Sequence, residues 1–415
     1  MNNPTEVRAR HHVPLALAAL TSPAAASFAD EITTAGFSLT LAGSGSTVLV
    51  SIVLSCGLLG GVAAGGVGSA LLRRHSPWRV VLGCVIGRAA LLAVVGARQR
   101  EWTFVPVALL LGAVGAIYWS AVLSVVARNF NGTQLDRATT AVNTVRNVGF
   151  VAGPAPAGAA FEQAGLRGLL LTTAVVLLVL GMTLRVSVRS GALGSASRLG
   201  ADGGDEDNGA SATRQGVLSF VRQRWIMRDI GPFCVTIAAS STMSITLVFY
   251  ITQVLDLGAS VYGLVVATLC VGLLAGPWLA VPWLTRLGRL RGGLVAAAGI
   301  GPGMVALGLT GSLPAMLAAV AVIGIFNGSQ NALVGAHVMA TLGDHGATAD
   351  IARYVSLVQA CVLVGFLIGG AIPASSAGMA IVIAGAVTGA AALFAPVRSV
   401  LYPETEMSEV VATPL

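Results

Sequence analysis

Two adjacent acids, Asp30 and Glu31, interrupt an otherwise apolar run near the start of the chain, and Arg88 interrupts another. Ionisable side chains inside a membrane span are costly and usually functional. A carboxylic acid there is a natural proton carrier, and an arginine there needs an acid partner, for which Asp30 or Glu31 is the obvious choice. Such a pair holds helices together, and if protonation breaks it, it is mechanistic as well. With a shorter first helix, both acids would instead stand in water at its outer end. Arg146 is a second arginine in an apolar run, flanked by Asn143 and Asn147 at i,i+4 spacing on a shared helix face. That face either lines a cavity or binds carbonyls of a neighbouring helix.

Two further runs carry polar groups at helical spacing. Asn327, Gln330 and Asn331 form a stripe at i, i+3 and i+4, with His337 further along. They serve either a substrate cavity or hydrogen bonding between helices. Ser240, Ser241, Thr242, Ser244, Thr246 and Tyr250 cluster in another run that ends near Gln253. Hydroxyls in apolar helices often bond their own backbone carbonyls, so only the cluster carries weight, with Ser241 and Ser244 as its substrate-facing candidates. Tyr118, Trp119 and Trp278 are candidate cavity walls, although Trp near a span end is often an interface anchor.

Other chemistries are excluded. All 24 basic residues of the Lys+Arg total are arginine. A phosphate-binding Walker A loop and a pyridoxal Schiff base both require lysine. Cys56, Cys84, Cys234, Cys270 and Cys361 lie singly in apolar runs without a CxxC pair, and the histidines show no HExxH spacing. No metal, cofactor or catalytic constellation is expected, so the chain is not read as an enzyme. Uphill transport would draw on an ion gradient or on another polypeptide.

The elements that must position these residues follow from composition. Of the 415 residues 55% are hydrophobic and 10% charged, with a mean hydropathy of +0.84. Ordinary soluble domains carry roughly 25% charge. Twelve apolar segments are long enough to span a bilayer, a span needing about 20 residues: 13–40, 46–71, 79–97, 103–127, 139–162, 167–187, 229–253, 260–284, 291–311, 314–338, 351–373 and 376–396. The chain is therefore predicted to be an all-α membrane protein. Arg8, Arg10 and the small residues after Pro23 also resemble a secretory signal peptide. Apolar sequence resumes at Ile32, so an uncleaved first helix is simpler.

With the N-terminus in the cytoplasm, nineteen arginines fall on the cytoplasmic side and only Arg98, Arg100 and Arg167 outside. This bias places both termini in the cytoplasm of a plasma-membrane protein. It also accounts for the net charge of +7 without nucleic acid. The expected organisation is a tail at 1–12, a six-helix bundle at 13–188, a linker at 189–228, a second six-helix bundle at 229–397 and a tail at 398–415. Val217, Phe220, Val221 and Trp225 alternate with arginines at the end of the linker, as in a short interfacial helix. Arg88, nine residues beyond Arg79, comes to lie about 13 Å deep, near the midplane.

Three stretches carry a resemblance. Thr285-Arg286-Leu287-Gly288-Arg289-Leu290-Arg291 is similar to the loop motif G-x-x-x-D-R-x-G-R-R, with Thr285 in place of the acid. The equivalent first-half loop retains Gly68, Arg73, Arg74 and Arg79 but no aspartate. Gly149-Phe150-Val151-Ala152-Gly153-Pro154-Ala155-Pro156-Ala157-Gly158 is similar to the antiporter motif G-x-x-x-G-P-x-x-G-G, with Ala157 in place of one glycine. Together with the six-plus-six layout, these resemble major facilitator superfamily exporters, in particular the branch of macrolide-efflux proteins and the enterobactin exporter. Ala29-Asp30 stands about where that branch has Gly-Asp, and Gly87-Arg88-Ala89-Ala90-Leu91 resembles its arginine-bearing third helix.

The resemblance implies two pseudo-symmetric halves with a site near the midplane, as in that fold generally. It implies a monomeric, proton-coupled antiporter exporting a small, partly hydrophobic organic molecule, such as a drug, antibiotic or secondary metabolite. Asp30, Glu31 and Arg88 would couple the proton. Gly149, Gly153, Pro154, Gly158, Arg286, Gly288 and Arg289 would serve the conformational change. An uptake permease for a metabolite and a non-transporting membrane sensor or assembly protein are the alternatives.

Overall fold

The structure is a computed structural model and describes residues 4–98, 101–130, 133–189, 229–342 and 347–401. The expected linker helix at 216–228 lies outside the described residues. Apolar runs with few charges have one way to satisfy their backbone in lipid, the internally hydrogen-bonded helix, and among the described residues no strand occurs. The first half comprises α1 (Pro4–Gly43), α2 (Thr47–Ala63), α3 (Gly65–Arg74), α4 (Pro77–Arg98), α5 (Glu101–Asn129), α6 (Thr133–Ala152) and α7 (Pro154–Arg189). The second comprises α8 (Gly231–Phe249), continued by a π turn at Tyr250–Val254, then α9 (Ala259–Leu279), α10 (Val281–Leu284), α11 (Arg289–Leu309), α12 (Leu313–Leu342), α13 (Ala347–Ala371) and α14 (Ala377–Leu401).

Among the described residues, nine helices are long and apolar enough to cross a bilayer, or ten if the bent pair α2–α3 is one span. The stretch Arg137–Val186 counts as one of these, although Gly165 breaks it with φ +62°, a conformation that favours glycine. With that break and the long α1, the element order fits twelve spans. Helix α1 begins at Pro4, well before the first apolar segment at residue 13. Proline suits this position because a first-turn residue has no helical acceptor for an N–H.

The helices group into two units. The first holds the described residues of Met1–Asn208, Val248–Cys270 and Gly370–Ser375. In it α1 packs on α6 and α7, α2 on α5, and α4 on α5 and α7. Helices α2 and α5 cross backbone to backbone: a Cβ on Gly112 would lie 1.8 Å from the carbonyl oxygen of Gly57. Without a hydrophobic drive between helices in lipid, such close approach maximises dispersion contact. The second unit holds Gly209–Leu247, Val271–Gly369 and Ser376–Leu415, again for the described residues. There α11 packs on α12 and α14, around a core that includes Ile230, Phe233, Ala297, Val334 and Val338.

Candidate functional site

The polar centre of the first unit is built on α1, α4, α5 and α6. Arg88 of α4 is 3% exposed and reaches across to Asp30 of α1, whose side chain is 38% exposed. Its two terminal nitrogens meet the two carboxylate oxygens at 3.0 and 3.2 Å, the fork geometry that makes arginine–carboxylate contacts strong. The guanidinium also approaches the carbonyl of Ala26 at 3.5 Å and lies 5.4 Å from the centre of the Tyr118 ring. Tyr118 is fully buried and within hydrogen-bond reach of the Ser22 hydroxyl, at 3.1 Å. Gly115, one turn before Tyr118 on α5, makes room for the cation: a Cβ there would lie 2.6 Å from an Arg88 terminal nitrogen.

Glu31 takes a different position. It is half-buried and, among the described residues, makes no hydrogen bond or ion pair. Its own Cβ would lie 2.6 Å from a Cβ on Gly153, which would also come 3.3 Å from the Phe28 carbonyl oxygen. One turn earlier, a Cβ on Gly149 would be 2.3 Å from the Ala24 carbonyl oxygen. The first two glycines of the segment-five motif therefore let α6 lie directly on the part of α1 that carries both acids.

The rest of that motif packs elsewhere. The chain breaks at Gly153 between α6 and α7, and Pro154 supplies no N–H to continue the ladder. Beyond the break, Gly158 faces the start of α9: its Cβ would lie 2.3 Å from the Ala259 carbonyl oxygen, and a Cβ on Gly263 would lie 2.4 Å from that of Pro154. Glu162 fixes the same crossing by accepting from the backbone N–H and the hydroxyl of Ser260, in the first turn of α9. All of these residues belong to the first unit, as do Gln253, which donates to the Ala42 carbonyl, and Thr47, which donates to Gly370 at 2.9 Å.

Arg146 of α6 is half-buried, 4.3 Å from the Trp119 ring centre and 5.1 Å from that of Phe150. Its Nε is buried without a partner. Asn143 and Asn147 are exposed beside it and, among the described residues, their amides are not engaged. Asn143, Arg146 and Asn147 thus stand together on one face of α6.

In the second unit Ser241 and Ser244 are turned to their own helix, donating to the carbonyls of Ile237 and Ser240 at 2.8 and 3.3 Å. Thr242 instead bridges to the Gly365 carbonyl of α13 at 3.1 Å. Asn331 donates to Asn327 at 3.2 Å. Gln330, on the buried side of the same stripe, is 2% exposed and its Oε1 has no partner among the described residues. His337 comes within 4.0 Å of Asp229. Trp278 is 81% exposed.

The loop motif is also resolved. Gly288 has φ +86° and caps α11, a conformation only glycine adopts easily. Arg286 lies 4.5 Å from the Trp283 ring centre, and Arg289 opens α11. Among the described residues neither arginine has an acidic partner, which follows from Thr285 standing where the motif has its acid. Thr285 turns back to the carbonyl of Val281 at 3.0 Å.

Sequence reasoning passed over Gly115, Phe150 and Glu162. The first two stand one turn from residues already of interest, Tyr118 and Arg146. Glu162 had a visible signal as a lone acid at the end of an apolar segment. No group of three or more metal-ligating side chains occurs among the described residues.

Comparison with known proteins agrees with this architecture. No curated protein matches the chain. The fold is similar to the crystal structure of the nucleoside transporter NupG, with a TM-score of 0.70 and 10% identity over 92% of this chain and 98% of that one. A mutant form of NupG gives 0.67 and 12% identity over 92% and 99%. The profile of the Major Facilitator Superfamily matches residues 17–228. A multi-pass helical chain whose residues 17–228 carry that profile, and 92% of which follows that fold, is a transporter for a small molecule in the lipid bilayer, and it belongs to the Major Facilitator Superfamily.

Proposed function

We propose that the protein exports a small, partly hydrophobic organic molecule in exchange for protons. It would work as a monomer by alternating access in the plasma membrane, with both termini in the cytoplasm and with the halves 13–188 and 229–397 as the alternating bodies. The observation that carries the reading is the Arg88–Asp30 pair: the cation is sealed in, whereas the acid is 38% exposed and open to proton exchange. A proton on Asp30 cancels the charge that holds Arg88, so the protonated and ionised forms favour different packings of α1 against α4 and α5. Coupling requires such differential binding between two states. The segment-five motif, lodged directly against the acid-bearing part of α1, supports export by its resemblance to the antiporter motif.

The test is Asp30→Asn in proteoliposomes. The amide keeps the shape and loses the titration. Substrate exchange at equal concentrations should persist, while accumulation under an imposed pH gradient should vanish. Glu31→Gln is the matched comparison, because that side chain points about 100° away on the helix. Accumulation lost in Glu31→Gln and kept in Asp30→Asn moves the role to Glu31. Accumulation kept in both and in the double mutant removes both acids from the coupling, with His337 next to examine.

A further inference from the structure

Two arginines stand in the polar centre of the first unit, and only one of them is neutralised by a partner. Arg88 has Asp30. Arg146 has no carboxylate within ion-pair distance among the described residues; its neighbours are the rings of Trp119 and Phe150. These aromatic faces support a planar cation through its own face. They leave its N–H edge undirected by any protein acceptor. The Nε is buried without a partner, and the terminal nitrogens have no hydrogen bond to the described residues. Asn143 and Asn147 lie on the same α6 face as Arg146 and Phe150 and add two exposed amides without protein partners.

We propose that this cluster receives a carboxylate of the transported molecule, which makes the substrate class a flat or aromatic organic anion. The proposal deepens the transporter reading above and rests on it. Three features support a carboxylate. A guanidinium edge matches two carboxylate oxygens in one plane, and such bidentate contacts are the strong ones. The acid nearest to Arg146 is already held by Arg88, so a half-buried cation is left to be satisfied by a ligand anion. The guanidinium over the Trp119 ring and near that of Phe150 is itself a planar surface on which a flat body can stack. A phosphate dianion would find one cation where it usually has more, and an amine would be repelled by Arg146. The consequence for energetics is direct. Export of a monoanion against entry of a proton moves two charges in one electrical sense, so an inside-negative potential drives it in addition to the pH gradient.

The experiment compares three probes of nearly one shape on the purified full-length protein in lipid nanodiscs. They are 2-naphthoate, 2-naphthamide and 2-naphthylmethylammonium, with affinity measured by equilibrium dialysis. The carboxylate should bind at least tenfold more tightly than the amide, and the ammonium most weakly. Arg146→Gln should bring naphthoate down to the level of the amide, and Arg146→Lys should recover part of the difference. Trp119→Ala should weaken naphthoate and naphthamide by a similar factor. If Arg146→Gln does not fold, the wild-type ranking still decides, together with Asn147→Leu, which should weaken naphthoate several-fold and the amide less. Equal affinity for carboxylate and amide, a preference for the ammonium, absence of any measurable preference, or a carboxylate preference that survives Arg146→Gln each overturns the assignment. Failure of proton-coupled export is a separate result: flux would then ignore the pH gradient while the carboxylate preference stands.

Discussion

The Arg88 guanidinium holds the Asp30 carboxylate with both terminal nitrogens, at 3.0 and 3.2 Å, and it is the cation, not the acid, that is shut away from solvent. Removing the arginine leaves an acid that can take up a proton and become neutral. Removing the acid strands a buried cation, which is the costlier loss. Asp30→Ala is therefore expected to lower thermal stability more than Arg88→Ala. The double change Arg88→Ala with Asp30→Asn should be less harmful than the sum of the singles, by about 1–3 kcal/mol. Strict additivity in unfolding and in transport would refute a working pair.

The motif glycines give a graded series. Gly149→Ala places a methyl 2.3 Å from a backbone oxygen, which cannot move alone, and Gly153→Ala places one 2.6 Å from the Cβ of Glu31. Each should destabilise by about 1–3 kcal/mol and reduce transport. Gly83 and Gly87 in α4 have nothing within 4 Å of a new Cβ. Alanine at either should be neutral or stabilising by up to about 1 kcal/mol, even though Gly87 adjoins Arg88. Equal damage at all four positions in a thermal-shift series would show that helix packing is not what the motif glycines provide.

Pro154 opens α7 directly after the break at Gly153. Alanine there restores an N–H and favours one continuous helix. Membrane insertion should be normal and transport weaker. Full transport by Pro154→Ala would reduce the break to an ornament of the fold.

Glu162 holds the first turn of α9 through the Ser260 N–H and hydroxyl. Glu162→Gln keeps one acceptor and gives up the charge, which an exposed contact values modestly. Glu162→Ala removes both, so the alanine variant should raise the reactivity of a cysteine placed at the neighbouring Val261 towards a water-soluble maleimide several-fold and the glutamine variant should raise it less. Unchanged labelling in Glu162→Ala would mean that the glycine crossing alone holds these helices.

Orientation is open to a simple assay. Reporter fusions at Gly203 and after Leu415 should both read cytoplasmic, as the arginine distribution requires. A signal from the opposite side at either position contradicts the twelve-span arrangement.

The fold was legible because every span repeats one local signal, about twenty apolar residues bounded by arginines or turn formers. Helix ends were less so. Nothing apolar marks Pro4 as the start of α1, and Gly165 gives no hint in composition that its φ would be +62°. The chemistry of the site was legible as residue types and only partly as partners. Asp30 and Glu31 are indistinguishable by hydropathy, and it is the roughly 100° between them on α1 that gives Arg88 to one and Gly153 to the other. The hydroxyl cluster on α8 was legible only as residue types for a related reason. Periodicity shows that Ser241 and Ser244 exist on a helix, whereas their back-bonding to Ile237 and Ser240 depends on rotamers that no spacing records.

Gly149 and Asn147 are two residues apart on α6, so they look in nearly opposite directions, one into the α1 backbone and the other into open space. That separation has an evolutionary consequence. Substitutions at the inner face disturb the acid-bearing helix and are removed by selection together with the fold. On the proposed reading, substitutions at Asn143 or Asn147, whose amides engage no described residue, alter what that face offers a passing molecule and leave the α1 contact alone. Related carriers built on this reading can diverge in cargo by altering a few side chains of that face while keeping the Asp30–Arg88 pair.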